Sequence, residues 1–337
     1  MATPAPAPVA APGLARTTLD NLIASFRSLG GLGIGLTAAL ALEIIFFTIR
    51  SPYFLAVDNF ANIGRAVTII GVVAVGETVV IIAGGFDLSV GSTMAAAGMV
   101  SAYLVSHGQT APLAWGVAIL LGLVIGCANG AIVSYARINP LIATLATLSI
   151  VRGLGFVIST GDDIVVSNST FLSVGTSSIG SVPTMVVILL AAFAIVGLVM
   201  PRSSFGRYAY AIGSNARAAK LAGVPVARWR LSFYAICGGF AAIGGLIAVS
   251  RTGVGQPSAN LGAELDVITA VILGGTSLKG GRGRLAGTLL GLLLIGVLNN
   301  GLILLSVEAY WQQVVKGAIL LVAVFYDELR QGRREES

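Results

Sequence analysis

The feature that most constrains this chain is a recurring stretch of uncharged apolar residues, each long enough to cross a lipid bilayer. About 20 helical residues cover the roughly 30 Å of hydrocarbon. Clear stretches lie near residues 31–49, 66–83, 113–134, 141–159, 182–200, 231–249 and 285–305. Three weaker ones lie near 89–105, rich in Ser, Ala and Gly, at the short run 266–275, and at 312–326, which begins with Gln312 and Gln313. Only 10% of the residues are charged, against about a quarter in soluble domains. The 44 glycines suit helices that approach closely in a membrane. The pattern predicts an all-α polytopic integral membrane protein with about ten transmembrane segments, some short or broken. An even number puts both termini on one side.

The basic residues say which side that is. With cytoplasmic termini, most of the 20 Lys and Arg fall in cytoplasmic segments, among them Arg202, Arg207, Lys220, Arg228 and Lys279. Outside are Arg50, Arg65 and Arg251, and Arg152 and Lys316 lie within spans. The opposite topology would invert this asymmetry. The Ala/Pro-rich residues 1–30 read as a disordered cytoplasmic tail, 31–326 as the membrane domain with a cytoplasmic loop at 201–230, and 327–337 as a second cytoplasmic tail. Glu264 and Asp266 read as solvated charge on the outside, with docking of an external protein as the other use.

Several chemistries find no support. Cys127 and Cys237 sit in apolar runs, so a disulfide framework is not expected, and no Cys/His cluster has metal-site spacing. No His, Ser and carboxylate constellation suggests catalysis. GGTSLKGGRGR has glycines and Lys279 but no Gly-Lys-Ser/Thr at P-loop spacing, so no ATPase site is expected in this chain.

Polar residues within the membrane mark a candidate path. Glu77 lies mid-span, where an acid costs about 2.5–3.5 kcal/mol on insertion scales, and a contact with Arg152 is one hypothesis for how it is accommodated. Asp87, in IIAGGFDLSVGST, stands between a glycine pair and Ser89 at a break between two spans. Its simplest role is to cap the helix that follows; a part in gating is the alternative. Asn129, Asn299 and Asn300 suit either solute hydroxyls or helix-to-helix hydrogen bonds. Residues 81–91 also resemble 271–281, matching at a glycine pair, at Leu88 with Leu278, and at Gly91 with Gly281. Internal repeats of this kind are common in transporters.

The loop 201–230 contains a short helix with both ends specified. Ser214 or Asn215 serves as N-cap, an Ala-rich body follows, Gly223 stops it and Pro225 prevents continuation. Such a helix is too short to be stable alone, which implies a docking partner; an ordinary basic loop helix at the headgroups is the alternative.

Here a resemblance enters. RAAKLAG (217–223) has the Ala-Ala-x-x-x-Gly spacing of the EAA loop of ABC importer permeases, with Arg217 where the general pattern has Glu. IGSNARAAKLAGVPV, GGFDLSVGS (84–92), ANGAIVS (128–134), INPLIATLATLSIVRGLGF (138–156), ELDVITAVILGGTSLKGGRGRLAGTLLG (264–291) and LNNGL (298–302) resemble segments of the ribose, xylose and galactose permeases, in that family's order. The resemblance covers about residues 45–326. It implies one of two permease subunits, identical or related, of a bacterial inner-membrane importer of a monosaccharide or a polyol such as inositol. It further implies an external sugar-binding protein and an ATP-binding cassette subunit that binds ATP and Mg, leaving this chain without a cofactor. Coupling to the cassette then falls to Gly213, Asn215, Arg217, Ala218, Ala219, Leu221 and Gly223. The competing reading is an ion- or proton-coupled secondary transporter with Glu77 and Asp87 as carriers.

Overall fold

The computed structural model describes residues 30–335. Among them are twelve helices: α1 (Gly30–Arg50), α2 (Val57–Ile82), α3 (Val90–Ser106), α4 (Ala111–Ser134), α5 (Pro140–Ser159), α6 (Ser169–Thr176), α7 (Thr184–Arg202), α8 (Ser204–Leu221), α9 (Val226–Thr252), α10 (Ala263–Leu273), α11 (Leu285–Leu304) and α12 (Ala309–Glu335). Strand pieces of two residues each pair antiparallel, β1 (Ile164–Val165) with β4 (Val254–Gly255) and β2 (Ser178–Ile179) with β3 (Val182–Pro183). Seven helices, α1, α2, α4, α5, α7, α9 and α11, are long and apolar enough to cross a membrane. Helix α3 and the Ala309–Phe325 part of α12 are shorter apolar helices. The N-terminal tail expected over 1–30 lies almost wholly outside the described residues, and α12 runs on to Glu335, through most of the stretch read as a second tail.

Helix α2 forms the centre of the bundle. Its sequence from Gly71 to Ile82 has no polar face apart from Glu77 and Thr78, and 78% of its apolar stretch is buried, against 17% for α1 and 28% for α5. A helix that is apolar all round belongs in the middle of a bundle or in lipid; α2 takes the first place and α1 and α5 present apolar surface outward. Helix α9 joins α2 at the centre, 67% of its apolar stretch being buried.

Glycine spacing decides how α9 meets α4. Gly122, Gly126 and Gly130 recur every fourth residue on one face of α4, and a Cβ at Gly130 would stand 2.6 Å from Leu231 Cα. At Gly126 it would stand 2.8 Å from the Tyr234 carbonyl carbon. The two backbones touch along this stripe, the kind of contact that packs helices where lipid removes the hydrophobic driving force.

Two helices end in matching breaks. After α2, Gly84 takes φ +75°, its N–H donates to Ile81 O (2.9 Å) and that of Gly85 to Val80 O (2.9 Å). After α10, Gly275 takes φ +85°, its N–H donates to Ile272 O (2.7 Å) and that of Thr276 to Val271 O (3.2 Å). Both are left-handed C-terminal stops of the kind glycine allows. The sequence repeat is therefore present in space but shifted by one: Gly84 corresponds to Gly275, not to Gly274.

The chain reaches α10 through a non-helical segment, Val254–Gly262, which runs along α3. A Cβ at Gly255 would stand 2.6 Å from Ala102 Cβ, and one at Gly91 would stand 3.0 Å from the Asn260 carbonyl oxygen. The segment thus passes from the later turns of α3 to its first turn. Helix α10 continues for eleven residues, about 16 Å, roughly half a bilayer.

Candidate functional site

Non-helical backbone deep in a helical bundle must find hydrogen bonds within the protein. The break between α2 and α3 does so with side chains from α2, α4 and α9 and with its own. The Tyr234 hydroxyl of α9 accepts from Phe86 N–H (3.1 Å) and donates to Phe86 C=O (3.0 Å), covering both backbone groups of one residue. Glu77 Oε1, on α2, accepts from Asp87 N–H (3.1 Å), and its Oε2 accepts from the Cys237 thiol (3.3 Å). Asp87 Oδ1 accepts from Ser89 N–H (2.9 Å), Ser89 Oγ (2.6 Å) and Asn129 Nδ2 (3.2 Å). Asn129 Nδ2 also donates to Ser89 Oγ (2.8 Å). Glu77, Asp87, Ser89 and Asn129 are all buried, and the Asn129 Oδ1 has no partner among the described residues.

This geometry changes two expectations. Glu77 does not pair with Arg152: its carboxylate is engaged by Asp87 and Cys237, while Arg152 Nη1, on α5, donates to the carbonyls of Pro257 (3.0 Å) and Ala259 (2.6 Å). An acid in the bundle can be satisfied by uncharged donors, and unwound carbonyls compete for a guanidinium. Asp87, expected to cap α3, acts just ahead of it. The helix starts at Val90 with Ser89 at the cap position, and the carboxylate closes a turn onto Ser89 instead. Tyr234 and Cys237 were not singled out from the sequence. Their spacing of three puts them on one helix face, a signal that two polar atoms in an apolar span share a target.

The asparagines divide. Asn300 forms a reciprocal amide pair with Asn59, at 2.8 Å and 3.0 Å, locking α11 to α2. The Asn299 Oδ1 is buried without a partner among the described residues. Glu264 and Asp266 are no loop charges: both lie in the first turn of α10, and Asp266 Oδ2 accepts from Lys316 Nζ of α12 at 2.7 Å, both side chains mostly buried.

A second constellation lies at α8. The helix kinks at Asn215, whose φ of −161° and ψ of 95° are extended, and Asn215 Oδ1 accepts from Ala218 N–H (2.9 Å), an N-cap bond. The short helix after the kink ends at Gly223, with φ +84°, where Val224 N–H donates to Ala219 O (3.0 Å). Ala219 faces the bundle, whereas Arg217, Ala218, Leu221 and Gly223 are exposed, Leu221 at 84%.

Just before the kink, Gly213 is wedged between both helix breaks. Gly281 N–H donates to Ile82 O at 2.8 Å, and Gly213 lies against both groups. A Cβ at Gly280 would stand 2.8 Å from Gly84 Cα. Three backbone segments far apart in sequence meet without side chains between them. Tyr210 O–H, one turn earlier on α8, donates to Gly283 O at 2.9 Å and ties the helix to the second break again. Burial pushes its hydroxyl pKa up, partly opposed by Arg284, so the proton needed for that bond stays in place.

Residues 59–324 match the family described as branched-chain amino acid transport system / permease component. The ribose import permease protein RbsC of Escherichia coli K12 is 40% identical over 300 residues, 87% of this chain and 92% of the relative. RbsC of Bacillus subtilis 168 is 40% identical over 296 residues, covering 87% and 92%. The L-arabinose transport system permease protein AraH of Escherichia coli K12 is 37% identical over 297 residues, covering 88% and 90%. No solved structure matches the chain.

Proposed function

We propose, for a chain that belongs to the branched-chain amino acid transport system / permease component family, that it is the membrane-spanning subunit of an ATP-driven importer of a monosaccharide. The relatives named for ribose and L-arabinose match it to similar extents, so a pentose or related aldose is the solute class. The observation that carries the mechanism is Gly213, where the α8 helix touches both helix breaks at once.

In this reading α1, α2, α3, α4, α5, α7, α9, the segment 254–273, α11 and α12 make ten crossings of a bacterial inner membrane, with both termini and α8 cytoplasmic. The basic residues of 201–230 and 279–284 then lie inside. The exposed face of Arg217, Ala218, Leu221 and Gly223 receives an ATP-binding cassette, which holds ATP and Mg. A second permease copy completes the pore and an external binding protein delivers the sugar. When the cassettes close, α8 moves, and Gly213 passes the displacement to the ends of α2 and α10 together. Both breaks lack a continuous helical hydrogen-bond ladder, so they yield before the helices do.

An ion-coupled carrier needs acids free to exchange a cation. Glu77 and Asp87 instead spend acceptor positions on the backbone of the break. Reconstitution separates the two mechanisms. With cassette subunit and binding protein in proteoliposomes, labelled ribose accumulates only when ATP is supplied; accumulation by this chain alone on an ion gradient would overturn the assignment.

A further inference from the structure

We propose that Arg152, Glu264 and the non-helical segment Pro257–Gly262 form a solute-contact site inside the permease, one that takes a polyhydroxylated sugar by its hydroxyl groups. This rests on the sugar-importer reading and adds a place where the bundle itself meets the solute.

The segment is unwound backbone packed along α3, and it leads into α10, which carries Glu264 in its first turn. Transport sites commonly form where a membrane helix is interrupted, because freed backbone groups there can serve a ligand. Arg152 reaches across from α5 and holds two of those carbonyls, Pro257 and Ala259, with a single nitrogen, Nη1. A guanidinium has five N–H donors in a fixed fork, and the buried Nε of Arg152 has no partner among the described residues. On the other flank, Glu264 lies against Gly91 at the start of α3, and its buried Oε2 has no partner among the described residues either. The two side chains are within electrostatic reach of each other.

A donor and an acceptor, both buried and unpartnered, therefore border one unwound segment. Leaving such groups unmade is costly. A sugar hydroxyl both donates and accepts, so a polyhydroxylated ring has a partner to offer to Oε2 and to Nε alike. The ordering role of Arg152 is distinct: by pinning two carbonyls it sets the shape of the segment, and so acts as a positioning residue for the rest of the site.

The test is equilibrium binding of tritiated ribose to the purified permease and cassette complex in lipid nanodiscs, without binding protein. Wild type is expected to retain ribose at millimolar concentration. Glu264→Gln and Arg152→Gln are expected to weaken retention at least about tenfold, the loss of one charged hydrogen bond. Arg152→Lys keeps the charge without the fork and is expected to fall between. Size-exclusion profile and cassette co-purification report folding, and Glu264→Asp, which keeps the carboxylate but withdraws it, stands in if Glu264→Gln does not assemble. No ribose retention by wild type, or equal retention by wild type and all variants, overturns the site. ATP-driven uptake with binding protein is measured alongside. Its absence in wild type overturns the sugar-importer reading, whereas uptake without site-dependent retention overturns only the site.

Discussion

Substituting Gly213 by alanine sets two physical effects against each other, and the structure decides the sign. Gly213 lies in the helical part of α8, where alanine is favoured over glycine by about 1 kcal/mol, so propensity alone predicts a stabilised helix. The new Cβ, however, would stand 2.5 Å from Gly281 N and closer still to the Ile82 carbonyl oxygen. Neither neighbour is a flexible side-chain end that can swing away; both are backbone, and they are bonded to each other at 2.8 Å. Room for a methyl group requires α8 to lift, or the Gly281–Ile82 bond to open. Overpacking costs about 1–3 kcal/mol and a buried backbone bond left unmade about 1–3 kcal/mol. The net expectation is a loss of about 1–5 kcal/mol of contact between α8 and the two breaks. In reconstituted complexes, Gly213→Ala should therefore keep cassette binding, because the exposed face beyond the kink is unchanged. ATP hydrolysis should persist while sugar uptake falls at least about tenfold. Gly108→Ala is the control. Gly108, in the turn after α3, has φ +81° but nothing among the described residues within 4 Å of its Cβ position, so its cost is the strain of a left-handed alanine, about 1–2 kcal/mol, with no effect on the junction or on the cassette face. If Gly213→Ala transports as fast per ATP as wild type, the idea that α8 drives both breaks through this point is refuted.

Other outcomes follow from the same contacts. Tyr234→Phe should lower stability in detergent by about 1–3 kcal/mol, since one hydroxyl serves two partly buried backbone groups at about 0.5–1.5 kcal/mol each; an unchanged melting temperature would show that Phe86 finds other partners. A double-mutant cycle of Asn59→Ala and Asn300→Ala should give a coupling energy of about 0.6–1.7 kcal/mol, and zero coupling would deny the amide lock. Charge exchange in Glu77→Arg with Arg152→Glu should fail to restore uptake, because the two residues have different partners; full rescue would reinstate their pairing. Leu221→Asp should cut cassette affinity at least about tenfold without changing detergent stability, as the leucine is 84% exposed and little of it is buried in the bundle.

Much of the architecture was legible because it depends on local chain properties. Each apolar stretch coincides with a helix, since bilayer thickness sets the length and hydropathy sets the place. The caps at Asn215 and Gly223 were readable for a similar reason: an N-cap or a left-handed stop needs only a few neighbouring residues. The internal repeat was visible too, although two adjacent glycines in each copy hid which one carries the turn.

The site was harder to read. Glu77 and Asp87 stood out as acids in apolar sequence, but their partners did not. Tyr234 meets Phe86 across 148 positions, and Arg152 meets Pro257 across 105. An acid and a base in neighbouring spans suggest an ion pair by charge alone. The bundle satisfied Glu77 with a backbone N–H and a thiol, and gave the guanidinium to unwound carbonyls, because an interrupted helix exposes polar backbone that must be covered within the protein. Gly213 likewise looks like any helix glycine in sequence. Only the meeting of three remote backbones shows that no Cβ can fit there. The sequence by itself thus determined where the long apolar helices lie and where short helices start and stop, both short-range consequences of hydropathy and backbone preference. Only the tertiary structure decided which polar group answers which, because hydrogen bonding and close packing depend on positions in space that no local pattern encodes.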